Sequence, residues 1–285
     1  MMNKEIVLIT GASSGIGKAT ALLLLQKGYI VYATAPELFG MTDLQEKGAK
    51  IMQLDITNSE NCKRIVDYIY KESKSIDILV NNAGYGLYGA IEDVSIEDAR
   101  QQFEVHLFGL IQLTQMVLPK MRDNRKGRII NISSILGRMT LPMGGWYHAS
   151  KYALEGISDC LRQEVKPFGI KVILINPGAI ESEWANLALS KANENSKNTA
   201  YSNMTNQLTH LISKSIKIQG KASKVAQKVW KACQSPKPKI RYVVPAHAKL
   251  LCIFQKLVSE NSFNYFKEKL IMLVTSENKK KYPSL

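Results

Sequence analysis

The chain has 285 residues, of which 45% are hydrophobic and 22% are charged, an ordinary composition for a globular protein that can bury a large core. Its formal net charge at pH 7 is +14, but the lysines are spread along the chain without a recognition helix or a base-stacking motif, so we interpret the charge as a solvated surface and expect no nucleic-acid partner. The sequence has no run of about 18 apolar residues, and a transmembrane helix is therefore not expected.

The first predicted element is a strand at residues 5–10, which leads into a glycine-rich turn. Gly11, Gly15 and Gly17 follow this strand, and a helix at 15–27 and a strand at 30–35 come next. Glycines let the backbone approach a pyrophosphate closely, and a helix N-terminus favours negative charge. Strand, glycine turn, helix and strand in this order predict a dinucleotide site, although an ordinary strand-to-helix turn would look similar.

The remaining elements continue to alternate between strand and helix along the chain. Strands are predicted at 50–54, 76–81, 128–132, 170–176 and 240–244, and helices at 59–73, 97–123, 147–168 and 223–233. This alternation predicts an α/β fold in three layers, a doubly wound parallel sheet with helices on both faces. Ligands bind at the carboxyl ends of the strands in such sheets.

Three side chains in the segment 131–156 suit proton transfer to and from an alcohol oxygen. Tyr147 and Lys151 are four residues apart and share one face of a predicted helix. A lysine ammonium beside a phenol lowers the phenol pKa, which makes the tyrosine a competent general acid or base. The Ser134 hydroxyl can hold and polarise a carbonyl oxygen.

These motifs together make the chain resemble the short-chain dehydrogenase/reductase family over roughly residues 4–182. The matches are TGASSGIG at 10–17, Asp55, NNAG at 81–84, Ser134 with Tyr147-x-x-x-Lys151, and the Asn-Pro-Gly segment at 176–178. The resemblance implies a nicotinamide-dependent alcohol or ketone oxidoreductase with a parallel seven-stranded sheet in the order 3-2-1-4-5-6-7. Within the family it looks most similar to the branch that acts on steroids, retinol and lipid ketones.

The resemblance also implies which residues hold the cofactor and carry out catalysis. Ser134, Tyr147 and Lys151 are the expected catalytic residues, and no metal site is expected. The expected cofactor-binding residues are Gly11, Ser13, Ser14, Gly15, Ile16, Gly17, Thr34, Asp55, Ile56, Asn81, Ala83, Gly84, Tyr147, Lys151, Pro177, Gly178, Ile180 and Ser182. Ser182 stands where relatives usually have threonine, so its hydroxyl is retained.

His106 departs from the family pattern, because most relatives carry an asparagine that helps hold a water in the proton relay. A histidine ring can also relay a proton near neutral pH, and we expect His106 to join the catalytic group with a pKa near 6.5, displaced by its surroundings. The alternative is a buried helix histidine without a catalytic role.

The segment after the second strand bears on cofactor choice. Relatives that use NADP usually have an arginine where Pro36 stands, and those that use NAD have an acid near Ala35. The missing acid favours NADP(H) over NAD(H), with Ser14 and Thr34 offering hydroxyls to the 2′-phosphate, while Glu37 argues weakly the other way.

We expect one Rossmann-type domain over 1–285, with a substrate lid at 183–222 and a C-terminal helical extension at 246–285. Trp184, Leu187 and Leu189 in the lid, and Tyr85, Leu87 and Tyr88 after the NNAG motif, can line an apolar pocket, although burial of a surface helix explains the lid residues equally well. The extension is amphipathic, so it packs within the protein, forms a dimer face or lies on a membrane surface.

The expected function is hydride transfer between a nicotinamide cofactor and a lipophilic secondary alcohol or ketone. The alternative is a cofactor-binding regulator or sensor with little or no turnover. We also expect a homo-oligomer. A cytoplasmic location follows from scattered cysteines and from a first strand that leaves no room for a signal peptide.

Overall fold

A computed structural model of the chain describes residues 4–181, 189, 192–215 and 220–269. Its centre is a seven-stranded sheet in the order β3-β2-β1-β4-β5-β6-β7, and every neighbouring pair is parallel. The strands are β1 (Ile6–Thr10), β2 (Ile30–Ala35), β3 (Lys50–Gln53), β4 (Ile78–Asn81), β5 (Gly127–Ile132), β6 (Ile170–Pro177) and β7 (Arg241–Val244). The predicted fold class and strand order are confirmed.

Helices cover both faces of this sheet. They are α1 (Gly15–Gln26), α2 (Thr42–Glu46), α3 (Ser59–Ser73), α4 (Ile96–Phe103), α5 (Gly109–Asp123), α6 (Gly145–Val165), α7 (Ser202–Ser215), α8 (Ala222–Gln234), α9 (Ala246–Leu257) and α10 (residues 260–269). Strand β1 illustrates the period of two: Val7 and Ile9 pack towards α1 and α8, while Ile6 and Leu8 pack towards α3 and α5. A sheet buried on both faces explains the continuous apolar runs.

The helix predicted at 97–123 is interrupted. Helix α4 passes into a π-helical turn at Glu104–Phe108, from which α5 continues. The π-turn carries His106, which is buried. It is followed by Gly109, where a Cβ atom would lie 2.5 Å from the carbonyl oxygen of Ile56. Such single-turn insertions often occur at functional sites.

The predicted lid and C-terminal extension are described only in part. Ser182, Trp184 and Leu187 lie outside the described residues, whereas Leu189 is buried and α7 begins at Ser202. No helix among the described residues is long and apolar enough to cross a membrane. The boundaries of the lid and the extension stay predictions.

Candidate active site

The turn between β1 and α1 has the geometry of a phosphate cradle. Gly11 and Gly15 have φ angles of +65° and +53°, which side-chain-bearing residues rarely adopt. At Gly17, a Cβ atom would lie 2.1 Å from the Gly11 carbonyl oxygen. Ser14 is exposed at the N-terminus of α1 and makes no capping hydrogen bond with its side chain. An anionic group fits here, close to the backbone and at the positive end of a helix.

Asn82 holds this turn against the end of β4. Its side-chain amide donates to the carbonyl oxygens of Thr10, at 3.0 Å, and Gly11, at 2.9 Å. In return, the Thr10 hydroxyl accepts hydrogen bonds from the backbone amides of Asn82 and Ala83, both at 3.0 Å. The NNAG motif signalled the segment, but sequence reasoning did not single out Asn82, because the motif does not say which way each side chain points.

Two residues expected to contact the cofactor use their side-chain hydrogen-bond donors inside the protein. The Thr34 side chain is buried and donates to the Ile9 carbonyl oxygen at 3.0 Å, and its expected contact with a 2′-phosphate stays a prediction. The Asn81 amide is also buried, donating to Asn131 at 2.9 Å and to Thr114 at 3.1 Å. In the structure its side chain joins β4 to β5 and α5.

Asp55 lies beside a cleft at the end of β3. One carboxylate oxygen accepts from the Thr57 backbone amide at 2.9 Å and from the Thr57 hydroxyl at 2.7 Å. The cleft has a volume of about 420 Å³ and is lined by Pro36, Gln53, Asp55, Asn58, Glu60, Asn61 and Arg64. It therefore brings Arg64 of α3 to the same cleft as Pro36. Sequence reasoning missed Arg64, because its position in a helix carries no motif.

The other expected cofactor-binding residues lie at the carboxyl ends of the same strands. Ser13 is half-buried and packs against Gly40. A Cβ atom at Gly40 would lie 3.1 Å from the Ser13 carbonyl oxygen. Gly178 follows β6, and Ile180 forms a bridge with Gly220. Ile16 packs against the core, whereas Ile56 is buried within it. Most of the expected residues therefore gather along one edge of the sheet.

Ser134, Tyr147 and Lys151 are brought together at the carboxyl end of β5. Ser134 follows this strand, and α6 carries the other two one turn apart. Tyr147 and Ser134 share a hydrogen bond, and the Lys151 ammonium lies 5.8 Å from the centre of the Tyr147 ring. Lys151 also donates to the Ile132 carbonyl oxygen at 3.1 Å. All three side chains are buried.

Burial sets the electrostatics of this group more strongly than the lysine does. It raises the pKa of Tyr147 to about 12, and the hydrogen bond with Ser134 opposes the rise. Burial also lowers the pKa of Lys151 to about 8, against the opposing charge of Glu155. The expected lowering of the tyrosine pKa by lysine is therefore not what the structure shows. Tyr147 is a protonated phenol at neutral pH.

His106 lies edge-on to the Tyr147 ring, with ring centres 5.7 Å apart, and both of its ring nitrogens make hydrogen bonds to neighbouring residues. Its Nε2 accepts from the Tyr85 backbone amide at 2.9 Å, so the ring proton resides on Nδ1, which lies 3.1 Å from the Ser150 hydroxyl. Ser150 in turn donates to the Tyr147 carbonyl oxygen at 2.7 Å. Burial, followed by the Lys151 charge, holds the pKa of His106 well below 6.5. This geometry favours a positioning role for a neutral histidine over the expected relay.

Gln102 and Gly84 complete the surroundings of the histidine ring. Gln102 donates to the Tyr85 carbonyl oxygen at 2.9 Å, and its amide nitrogen lies 3.0 Å from His106 Nε2. A Cβ atom at Gly84 would lie 2.8 Å from the same nitrogen. The loop after β4 is thereby fixed to the π-turn. Gln102 was missed by sequence reasoning, although its spacing of four residues from His106 was a usable signal.

We expect His106→Asn to flatten the loss of stability on acidification. Because burial lowers the pKa of folded His106, the unfolded chain binds a proton here that the folded chain does not, once the pH falls below about 6.5. The contribution of neutral His106 to the free energy of unfolding is therefore fully present above about pH 6.5 and is lost as the pH falls below it. Denaturant unfolding between pH 7 and pH 5 measures the slope, with exposed His247→Asn as the control.

The pH dependence of turnover distinguishes the two roles of His106. If His106 only positions its neighbours, neither the native enzyme nor His106→Asn shows a titration near pH 6.5 in the pH profile of kcat. A titration near pH 6.5 in the native enzyme that disappears in His106→Asn would support the proton relay instead of the positioning role.

An ion pair between a buried glutamate and a partly exposed arginine connects α6 to the far strands of the sheet. Glu155, one turn after Lys151, accepts from Arg241 of β7 at 2.8 Å and from the Asn176 amide of β6 at 2.6 Å. The same Asn176 amide donates to the Ser134 backbone carbonyl at 3.0 Å. Arg241 also pairs with Asp159 at 2.6 Å. This network fixes the relative positions of α6, β6, β7 and Ser134.

Comparisons with known proteins agree with this geometry. The sequence model of the short chain dehydrogenase family matches residues 5–193. An NADPH-dependent 3-dehydrocapnine reductase of Ornithobacterium rhinotracheale is 38% identical over 245 residues, which cover 83% of this chain and 86% of that protein. A 3-ketodihydrosphingosine reductase of Bacteroides thetaiotaomicron is 45% identical over 179 residues, 62% of this chain and 64% of that protein.

A solved short-chain dehydrogenase from Streptomyces avermitilis has the same fold over its whole length. It superimposes with a TM-score of 0.78 at 28% sequence identity, covering 100% of both chains. Because the family model spans more than half of the sequence and its motif residues meet at one edge of the sheet, the chain belongs to the short-chain dehydrogenase/reductase family of NAD(P)-dependent oxidoreductases.

Proposed function

We propose that the enzyme reduces a ketone on a lipophilic substrate, with NADPH as the preferred cofactor. The observation that carries this proposal is a wall of aromatic and apolar side chains beside the buried Tyr147 hydroxyl. Tyr88 stacks on Tyr147 with ring centres 5.8 Å apart, and Tyr88 packs against a cluster of Ala90, Met143 and Leu208. An apolar wall with a few polar groups suits recognition of a lipophilic molecule.

The proposed lid contributes to this wall. Leu208 belongs to α7, which falls within residues 183–222, and it is buried against Met143. Two polar contacts tie the same region to the loop after β4: Tyr201 donates to Glu92 at 2.6 Å, and Thr199 donates to Asp93 at 2.8 Å. A segment anchored in this way can cover an apolar substrate and exclude water from the reacting oxygen.

The names of two relatives support a lipid ketone as the substrate class. The 3-dehydrocapnine and 3-ketodihydrosphingosine enzymes are both named as reductases. The protonation state of Tyr147 supports the same direction, because a tyrosine whose pKa is about 12 holds a proton that it can give to a carbonyl oxygen.

The proposed reduction assigns a separate task to each side chain. The cofactor, held along the glycine turn, Asp55 and Lys151, supplies the hydride when bound. Ser134 and Tyr147 hold the carbonyl oxygen, and the Tyr147 O–H bond breaks as its proton passes to that oxygen. The Ser134 hydroxyl hydrogen-bonds to the resulting phenolate, which recovers a proton from solvent. The ketone thus becomes a secondary alcohol.

A turnover screen tests the proposed substrate class. Long-chain ketones are offered with NADPH and compared with short, water-soluble ketones of the same headgroup, and cofactor oxidation is followed by absorbance. We expect kcat/KM to rise with chain length, because each buried methylene contributes about 0.8 kcal/mol. Equal or better turnover of the short ketones would overturn the lipophilic assignment and leave the oxidoreductase class intact.

Arg64 supports the preference for NADPH. It lines the same cleft as Pro36 and Asp55, where a ribose 2′-phosphate would meet its positive charge. We expect Arg64→Gln to weaken NADPH binding by roughly tenfold, as for a charge-assisted hydrogen bond at a partly exposed site, and to leave NADH binding unchanged. Pro36→Arg is expected to tighten NADPH alone.

Dissociation constants for both cofactors measure these changes. Arg100→Gln, which removes an exposed arginine of α4 outside the cleft, is the matched control. A native preference for NADH, or equal weakening of both cofactors in Arg64→Gln, would contradict the proposed placement of the ribose.

A further inference from the structure

Helix α9 has two apolar faces, and within the part of the chain that the structure describes only one of them is covered. Ala248 and Cys252 are buried, and Cys252 packs against Met139 and Phe263. The opposite face is exposed at four positions spaced i, i+3, i+4 and i+7, with exposed fractions of 67%, 44%, 38% and 78% for Leu250, Ile253, Phe254 and Leu257. This spacing places the four side chains on one stripe. The buried face with Ala248 and Cys252 already holds α9 against the protein, so packing of the helix does not explain the exposed apolar stripe.

Helix α10 extends the exposed stripe into a broader surface. Phe254 contacts Phe266 with ring centres 5.1 Å apart, and Tyr265 and Phe266 are themselves exposed. The C-terminal apolar patch consists of Leu250, Ile253, Phe254, Leu257, Tyr265 and Phe266. Single exposed apolar residues are normal, but a continuous group from two neighbouring helices indicates an interaction site.

Lysines accompany the patch. Lys249 and Lys256 are exposed on α9, which has no acidic residue between Ala246 and Leu257. On α10, the exposed Lys269 lies 5.5 Å from the Tyr265 ring, and Lys267 donates to the Thr140 carbonyl oxygen. Glu260 and Glu268 are the acidic residues of α10. An apolar stripe with lysines at its side is the pattern of a helix that lies in the plane of a lipid interface.

From this surface we infer that the C-terminal helix pair docks the enzyme onto an anionic lipid surface. The apolar patch enters the boundary between headgroups and acyl chains, and the lysines meet the lipid phosphates. Charge complementarity decides between this occupant and a second copy of the chain. Lys249 and Lys256 beside the patch would face the same lysines across a contact between two copies, whereas an anionic membrane attracts them.

Docking in this way would place the active site close to the membrane. The covered face of α9 meets the segment after β6, where the Cβ position of Gly178 lies 2.8 Å from the Ala248 side chain. It also packs with Ile135 and Met139, which follow Ser134. Access of a membrane-dissolved ketone rests on the proposed function, but lipid docking itself does not depend on which reaction the enzyme performs.

Vesicle co-sedimentation of the full chain, without cofactor or substrate, tests the inference. We expect binding to vesicles of phosphatidylglycerol and phosphatidylcholine, little binding to phosphatidylcholine alone, and weaker binding as salt is raised. Leu250→Gln with Leu257→Gln is expected to reduce binding at least about tenfold, because two leucines no longer enter the lipid. Both side chains are exposed, so the substitutions leave the fold intact.

Matched variants distinguish binding through the C-terminal apolar patch from non-specific hydrophobic adsorption and from attraction by the net charge. Ile91→Gln with Ile96→Gln removes two exposed aliphatic side chains elsewhere and should bind like the native chain. Lys249→Gln with Lys256→Gln should weaken binding more than Lys71→Gln with Lys224→Gln, which alters the net charge equally on α3 and α8. Turnover of a water-soluble ketone should be unchanged in all four double variants.

Three outcomes would overturn the inference. The first is absence of binding to anionic vesicles, and the second is equal loss of binding in the patch variants and their controls. The third is that the native chain sediments as a dimer and the Leu250→Gln, Leu257→Gln variant as a monomer. That result would assign the patch to contact with a second copy of the chain. None of these outcomes depends on the reaction, so failure of lipid docking is distinguishable from failure of the proposed substrate class.

Discussion

Tyr147→Phe is expected to lower kcat by about a hundredfold or more while the protein stays folded. The substitution removes the hydroxyl proton but keeps the ring that stacks on Tyr88 and meets the edges of His106 and His148. General acid catalysis contributes about 10²–10⁴-fold, so its loss appears in the rate of the chemical step. The measurement is kcat at saturating ketone and NADPH.

Two readouts show that the effect belongs to the proton donor. Cofactor dissociation constants should change little, because the ring and Lys151 remain in place. Tyr152→Phe removes the hydroxyl of another tyrosine of α6, which is 42% exposed, and should turn over like the native enzyme. Near-native kcat in Tyr147→Phe would exclude Tyr147 as the proton donor.

Arg241→Met is expected to reduce the free energy of unfolding by about 3 kcal/mol, because it leaves the Glu155 charge buried without its cation. Glu155 is 7% exposed and Asn176 is fully buried, so little solvent reaches the Glu155 carboxylate to compensate for the lost arginine. Methionine retains much of the aliphatic stem, which confines the change to the charge. Denaturant unfolding at pH 7 measures the difference between variant and native chain.

A surface pair provides the control for this effect. Lys63 and Asp67 pair across one turn of α3 with side chains 72% and 60% exposed. Lys63→Met is expected to change stability by no more than about 0.5 kcal/mol, since exposed helical pairs contribute little. Equal effects of the two substitutions would mean that Arg241 is not the partner that compensates Glu155.

Predicting the sheet from the sequence succeeds because each strand is a short apolar run between polar or glycine-rich segments. IVLIT and the run that begins at Ile30 give β1 and β2 the expected bounds. Helix α2, at Thr42–Glu46, was not predicted, since five residues are too few to show a helical period. The interruption at Glu104–Phe108 was also missed, because its buried His106 is held by contacts with Tyr85 and Ser150 that are distant in sequence.

The sequence predicted which segments form the candidate site, but not how each side chain within those segments is oriented. Motifs located Ser134, Tyr147 and Lys151 correctly at one place, because strand ends in a parallel sheet meet at one edge. They do not report which way a side chain points, so the inward hydrogen bond of Thr34 was not foreseen and Asn82 was overlooked. Burial around Tyr147 depends on residues as distant as Tyr88, and the raised tyrosine pKa follows from that packing.

The close approach of Gly84 to the His106 ring makes the two positions interdependent in evolution. A side chain at position 84 would need the ring to move, because its first carbon would lie 2.8 Å from Nε2. Replacing the ring with a smaller group, such as the asparagine common in relatives, relieves that restriction. A side chain at position 84 therefore requires the ring at position 106 to move or to be replaced, so changes at the two positions are coupled.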